Sequence, residues 1–214
     1  NKTGLFINKL KYNLNDFLEG TEENYLNNYL SIHELDKISL EKLLKIIFDE
    51  KTRKEISQIT GFKYSLDYLR IYENKHIDRS SKELLVYREP HFDKAFSMNM
   101  LKIFIPLNVG PDSGALKVCH RNSKKYPKDY ENKIDKSDYL IGYGDYMYGF
   151  SPNICWHQEG NPNKGYSAKQ IMIQLNPSTE WQFRNDLYLR QLCPENKFPS
   201  FTSLFAKTSK IDDL

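Results

Sequence analysis

The sequence predicts a mainly β domain with flanking helices, of the sandwich, barrel or jelly-roll type. Short runs rich in β-branched and aromatic residues recur from about residue 64, turn formers separate them, and helical periodicity is confined to the two ends. The 214 residues are expected to form a single domain, 1–214. With 39% hydrophobic residues the chain carries enough apolar material for a core. A chain of this length buries roughly 70% of its unfolded surface, so it needs no disulfide staples.

Residues 1–61 are expected to form a helical buttress. Leu40, Leu43, Leu44, Ile47 and Phe48 recur at i, i+3, i+4, i+7 and i+8, one apolar stripe with Glu41, Lys42 and Lys45 opposite. Ser31 and Glu34 read as a capping box upstream, and Gly61 as the C-cap of a helix over Lys51 to Thr60. The β core is expected over 64–176. Its strands are Tyr64 to Tyr72, Glu83 to Arg88, Met98 to Leu107, Ala115 to Cys119, Tyr139 to Phe150, Ile154 to His157 and Lys169 to Leu175. Gly110 to Gly114, Gly144-Asp145, Ser151 to Asn153 and Gly160 to Asn163 supply the turns. The polar stretch Asn122 to Asp138 reads as a long solvated excursion. The tail, 177–214, turns helical again around Glu180 to Leu192.

Lysine and arginine exceed the acids by 31 to 28, a formal charge of +3. So small a surplus argues against nucleic acid and against a membrane surface as partners. No apolar run approaches the ~18 residues of a bilayer span, and Asn1-Lys2-Thr3 begins no signal-peptide core. The chain opens without Met, as it would if something upstream had been trimmed. Three cysteines, Cys119, Cys155 and Cys193, are widely spaced with no CxxC pair. A disulfide framework and a structural zinc site are therefore not expected, and a reducing, cytoplasmic location is.

Of the five histidines, His33 and His76 are expected at the surface. His91 differs by its company, Arg88-Glu89-Pro90-His91-Phe92-Asp93. In an extended segment residues i and i+2 share a face, so His91 and Asp93 can both enter a cavity as metal ligands. A third ligand must come from elsewhere. Cys155-Trp156-His157 follows a strand and opens a Gly/Asn/Pro loop, which makes His157 the candidate. Two imidazoles and one carboxylate leave open positions suited to non-haem Fe(II) and O2 chemistry, while zinc hydrolases use the same donors.

At this point the region 64–176 resembles the phytanoyl-CoA dioxygenase type of Fe(II)/2-oxoglutarate oxygenase. His91-Phe92-Asp93 stands at the family's HxD. Pro111 to Val118 is similar to its glycine turn leading into a strand, and Cys119 to Lys124 stands at its Gly-Ser-His stretch, with His120 displaced into a loop. Gly144-Asp145 precedes the strand to His157, which is followed by Gly160, Pro162 and Asn163. The resemblance implies a double-stranded β-helix, a cupin-like jelly roll, with the metal ligands His91, Asp93 and His157. It implies Fe(II) as cofactor, 2-oxoglutarate as cosubstrate, and O2 with a small molecule as the substrates, hydroxylation being the commonest outcome. Asp93 speaks against halogenation, because halogenases of this type free that ligand position.

The family's arginine after the distal histidine is absent. Lys169, twelve residues after His157, takes its place if the loop carries one extra residue. Lysine offers a compact charge in place of a bidentate fork. Lys102, mid-strand, points either into the cavity towards the cosubstrate or to a solvated face; Tyr87 and Asn99 are the further cosubstrate-binding candidates. Arg88 and Arg121 either meet an acidic substrate or lie at the surface, and Cys155 is expected to be a small core residue. The alternative is a metal-bearing jelly-roll isomerase or sugar-binding module without O2 chemistry.

Overall fold

A computed structural model describes residues 4–10, 14, 21–27, 29–78, 90–93, 97–120, 139–144, 146–191 and 207–214. Tyr87, Arg88 and Arg121, the expected strand over Glu83 to Arg88 and the excursion Asn122 to Asp138 lie outside them.

In chain order the elements are β1 (Leu5–Lys9), β2 (Glu22–Asn27), β3 (Leu30–Glu34), α1 (Lys37–Ile47), α2 (Glu50–Thr60) and β4 (Lys63–Lys75). Then come β5 (Leu101–Pro106), β6 (Leu116–Cys119), β7 (Tyr139–Gly142), β8 (Tyr146–Phe150), β9 (His157–Glu159), β10 (Ser167–Ser178), β11 (Gln182–Arg184) and β12 (Thr208–Lys210). The large sheet runs β1-β8-β5-β10-β4-β11-β12, with β3 also on β4 and β2 on β3. The small sheet is β7-β6-β9. The expected jelly roll is therefore present, as two sheets face to face.

Alternation along the large sheet sorts its side chains onto two faces. Tyr68, Tyr72, Phe104, Phe150 and Met172 pack with Leu116 and Val118 of the small sheet, forming the layer between the sheets. Leu69, Ile71, Ile103, Ile105, Ile171 and Ile173 take the opposite face and pack with Leu40, Leu43, Leu44, Ile47 and Ile56. The helical stripe read from the sequence is thus the buttress. Gly61 caps α2 in the left-handed region at φ 83°, donating its N–H to the Ser57 carbonyl.

The two ends differ from the expectation. Helix occupies Lys37–Ile47 and Glu50–Thr60, whereas β1 and β3 are strands on the edges of β8 and β4. Sheet edges present unpaired N–H and C=O groups, and these strands cover them. Ser31 and Glu34 consequently lie in β3 and form no capping box. The cap of α1 is Asp36, which accepts from the Ser39 N–H at 2.9 Å. In the tail, β11 lies parallel to β4, and among the described residues helix takes the form of two 3-10 turns, over Leu187–Arg190 and Ile211–Asp213. Trp181 and Phe183 are drawn into the core there, a pattern of alternation that competes with helix.

Leu44 is fully buried between α1 and the sheet. Leu44→Ala should cost about 2–5 kcal/mol, read as a fall in the urea midpoint at unchanged slope.

Candidate metal centre

His91 and His157 are joined by their backbones before their side chains meet. The His91 N–H donates to the His157 carbonyl at 3.0 Å and the His157 N–H returns to the His91 carbonyl at 3.1 Å. Residues directly opposite in an antiparallel pair project from one face with close Cβ atoms. The imidazole centroids are accordingly 4.3 Å apart. On the flanking positions Phe92 and Trp156 stack at 3.6 Å between centroids, bracing the same pairing.

Asp93 follows two residues after His91, its N–H held by the Pro152 carbonyl at 3.0 Å. Its Oδ1 lies 3.5 Å from both His91 Nε2 and His157 Nε2. The three ligand atoms lie within 4.8 Å of one another. His157 Nδ1 is 3.1 Å from the Cys155 carbonyl, so this nitrogen carries the proton and Nε2 turns its lone pair to the centre. Burial pushes the His157 imidazole down, against the pull of Asp93, which keeps it neutral and able to ligate. Burial also works to raise Asp93, but His157, His91 and Lys102 outweigh it and hold the carboxyl well below the ordinary range. This donor set fits one divalent transition metal with positions left over.

The glycine turn before β6 and the loop after His157 form one clasp. Gly114 has φ 69°, and a Cβ there would meet Pro162 N at 2.5 Å and Asn161 C at 2.6 Å. Asn163 donates its backbone N–H to the Asp112 carbonyl and its side-chain amide to Asp112 Oδ1, both at 2.8 Å. The clasp sets β9 against β6, with His157 opposite Val118.

Alternation decides which lysine reaches the centre. Lys102 shares the inner face of β5 with Phe104, and its Nζ lies 2.7 Å from Asp93 Oδ2 with the side chain 6% exposed. The same rule carries Lys169 to the other face. It shares the outer face of β10 with Ile171 and Ile173, and its Nζ lies 3.8 Å from Glu73. Its neighbours on the inner face are Ala168, packed with Val109 and Ala115, and Gln170, bonded to the Tyr72 hydroxyl at 2.8 Å. Glu73 is pulled down to about 2, by His33 first and also by Ser167, Lys169 and Lys75, with burial opposing. Asn99 is exposed in the turn before β5, its N–H on Ser97 Oγ at 3.2 Å. Cys155 is buried as expected, but His33 is buried too, because β3 lies against β4.

Sequence reasoning missed Glu159. It lies on the inner face two residues after His157 and accepts hydrogen bonds from the Tyr72 hydroxyl and the Asn74 amide. The available signal was the alternation His157-Gln158-Glu159, which puts a carboxylate beside the distal histidine.

No protein-family model matches the chain, and no curated protein does. Solved structures do. An oxidoreductase of the 2OG-Fe(II) oxygenase family from Burkholderia pseudomallei aligns at 9% identity, TM-score 0.54, over 82% of this chain and 85% of its own. HygX from Streptomyces hygroscopicus, with nickel, 2-oxoglutarate and hygromycin B bound, aligns at 8% identity, TM-score 0.53, over 84% and 86%. The epimerase SnoN, in complex with Fe3+, alpha ketoglutarate and nogalamycin RO, aligns at 10% identity, TM-score 0.56, over 83% and 80%. The fold is that of the 2-oxoglutarate/Fe(II) oxygenases. At these identities the likeness is one of architecture, and the three candidate ligands are read from the chain's own geometry.

His91→Ala should abolish binding of Co(II), used as an Fe(II) surrogate and followed by its visible bands. Far-UV circular dichroism should stay at the wild-type spectrum, because the His91 side chain is 22% exposed and carries little of the core.

Proposed function

We propose that this protein is a non-haem Fe(II)/2-oxoglutarate-dependent dioxygenase that hydroxylates a small molecule. The observation that carries the reading is the convergence of His91, Asp93 and His157 with a buried ammonium, Lys102, against them. Fe(II) would be held by the two imidazole Nε2 atoms and the Asp93 carboxylate, and would supply O2 activation coupled to decarboxylation of the 2-oxo acid. Solved structures of the same fold that hold 2-oxoglutarate together with hygromycin B or nogalamycin RO support a small-molecule substrate.

The chain's own residues divide the remaining work. Asp93 stays ionised and His157 neutral, the protonation states ligation needs. Lys102 is the described cation on the inner face beside the centre, and a dianionic cosubstrate brought there needs a counter-charge. Lys102, paired with Asp93 Oδ2 at 2.7 Å, would serve as counter-charge to a cosubstrate carboxylate once Asp93 ligated a metal. Glu159, two residues beyond His157 on β9, is held in place by the Tyr72 hydroxyl and the Asn74 amide. Phe150, whose ring lies 4.9 Å from His157, and Phe104 stacked on it keep the wall apolar and exclude water. Cys119 and Cys155 are buried and the sequence has no CxxC pair, which suits a reducing compartment, and we place the enzyme in the cytoplasm. Among the described residues no helix is long and apolar enough to cross a membrane.

Anaerobic titration with Fe(II) and 2-oxoglutarate tests the reading. A weak visible charge-transfer band should appear only with both, and its absence would favour a metal-bearing isomerase or sugar-binding module. Lys102→Met should weaken 2-oxoglutarate binding by about ten- to a hundredfold, equivalent to roughly 1.5–3 kcal/mol, while Lys169→Met leaves it unchanged. The reverse outcome would restore Lys169 as the anchor.

A further inference from the structure

The outer face of the large sheet carries a second group of ligand-type side chains. Glu23 on β2 stands directly opposite His33 on β3, and Ser31, two residues before His33, stands opposite Glu73 on β4. By the pleat these residues share one face, away from the layer between the sheets that holds the His91 centre. Ligand atoms of Glu23, His33 and Glu73 lie within 4.8 Å of one another, with His33 Nε2 at 3.5 Å from Glu73 Oε2.

We propose that Glu23, His33 and Glu73 form a second divalent-metal site, of the zinc type, that ties the β2-β3 hairpin to β4. One imidazole nitrogen and two carboxylates are ordinary zinc donors, with solvent completing the shell at the exposed Glu23 end. Two further features point to a ligand there. His33 Nδ1 is engaged by Thr21 Oγ1 at 3.3 Å, the outer hydrogen bond that orients a ligating imidazole, and Nε2 is buried and faces Glu73 Oε2 across 3.5 Å, too far for a good hydrogen bond. Ser31 Oγ, on a residue with no exposed surface, also lacks a hydrogen-bond partner beside Glu73. Unsatisfied buried polar atoms are costly, and a metal with its bound water satisfies both.

Without metal the carboxylates are balanced by lysines, Lys75 at 3.3 Å from Glu23 and Lys169 at 3.8 Å from Glu73. Their side chains are 34% and 21% exposed, enough to swing into water when a divalent ion replaces them. The lysines therefore compete with the metal, which gives this site a signature that a plain ion-pair network lacks.

Zinc stoichiometry tests the site. Metal-free protein is titrated with Zn(II) against a chromophoric chelator, with no 2-oxoglutarate present, so the result is independent of the oxygenase reading. Wild type should take two equivalents and His91→Ala one, and His91→Ala combined with Glu73→Gln none. In the His91→Ala background, Thr21→Val should weaken the remaining equivalent about tenfold. Lys169→Met should tighten it severalfold. Circular dichroism confirms that each variant is folded, and Glu73→Gln, which keeps shape, guards against misfolding of His33 variants. The proposal is overturned if His91→Ala binds no zinc, or if its remaining equivalent is indifferent to both Glu73→Gln and His33→Gln.

Discussion

The backbone exchange between His91 and His157 is the constraint on which the candidate metal centre depends. Two hydrogen bonds of 3.0 and 3.1 Å put residues 66 positions apart in sequence opposite one another. Once that pair is made, the pleat leaves the two imidazoles on one face, and Asp93 reaches the same point from two residues along. The surrounding structure serves to hold this pairing. The Gly114 and Asp112 turn clasps the Gly160 to Asn163 loop, and Phe92 stacks on Trp156. Glycine at 114 is required twice over, by its φ of 69° and by backbone approaching where a Cβ would stand.

The large sheet then distributes charge by a period of two. On β5, Leu101, Ile103 and Ile105 face the helices while Lys102 and Phe104 face inward. On β10 the register reverses the outcome for Lys169, which joins Ile171 and Ile173 on the outer face. A single-residue offset thus separates a lysine against Asp93 from one in an ion pair on the far side of the sheet. The same rule carries Glu159 inward with His157 and Glu73 outward with Ile71, so each face has its own cluster of titratable groups.

Edges explain why the ends of the chain are strands as well as helices. β1 closes the edge at β8, and the ring of Phe6 occupies the space where Gly149 has no side chain. β3 and β11 share the other edge of β4, along different stretches of it. The apolar outer face left between these edges is covered by α1 and α2 through Leu40, Leu43, Leu44, Ile47 and Ile56.

The sequence by itself determined the features that are local. The i, i+3, i+4 stripe of α1, the glycine stop of α2 and the β character of the middle of the chain are short-range patterns that the structure bears out, and the HxD triplet is a short-range pattern whose two residues the structure brings together with His157. His157 was legible because a strand, a histidine and a Gly/Asn/Pro loop occur in that order. What only tertiary structure decided was pairing and facing. Segments 5–9 and 30–34 carry no strong period, and they became strands because open sheet edges needed partners. His33 was drawn under cover with them. Lys102 and Lys169 each lie mid-strand, and the sign of their role rests on which face the register assigns, a property of neighbouring strands that no local pattern contains.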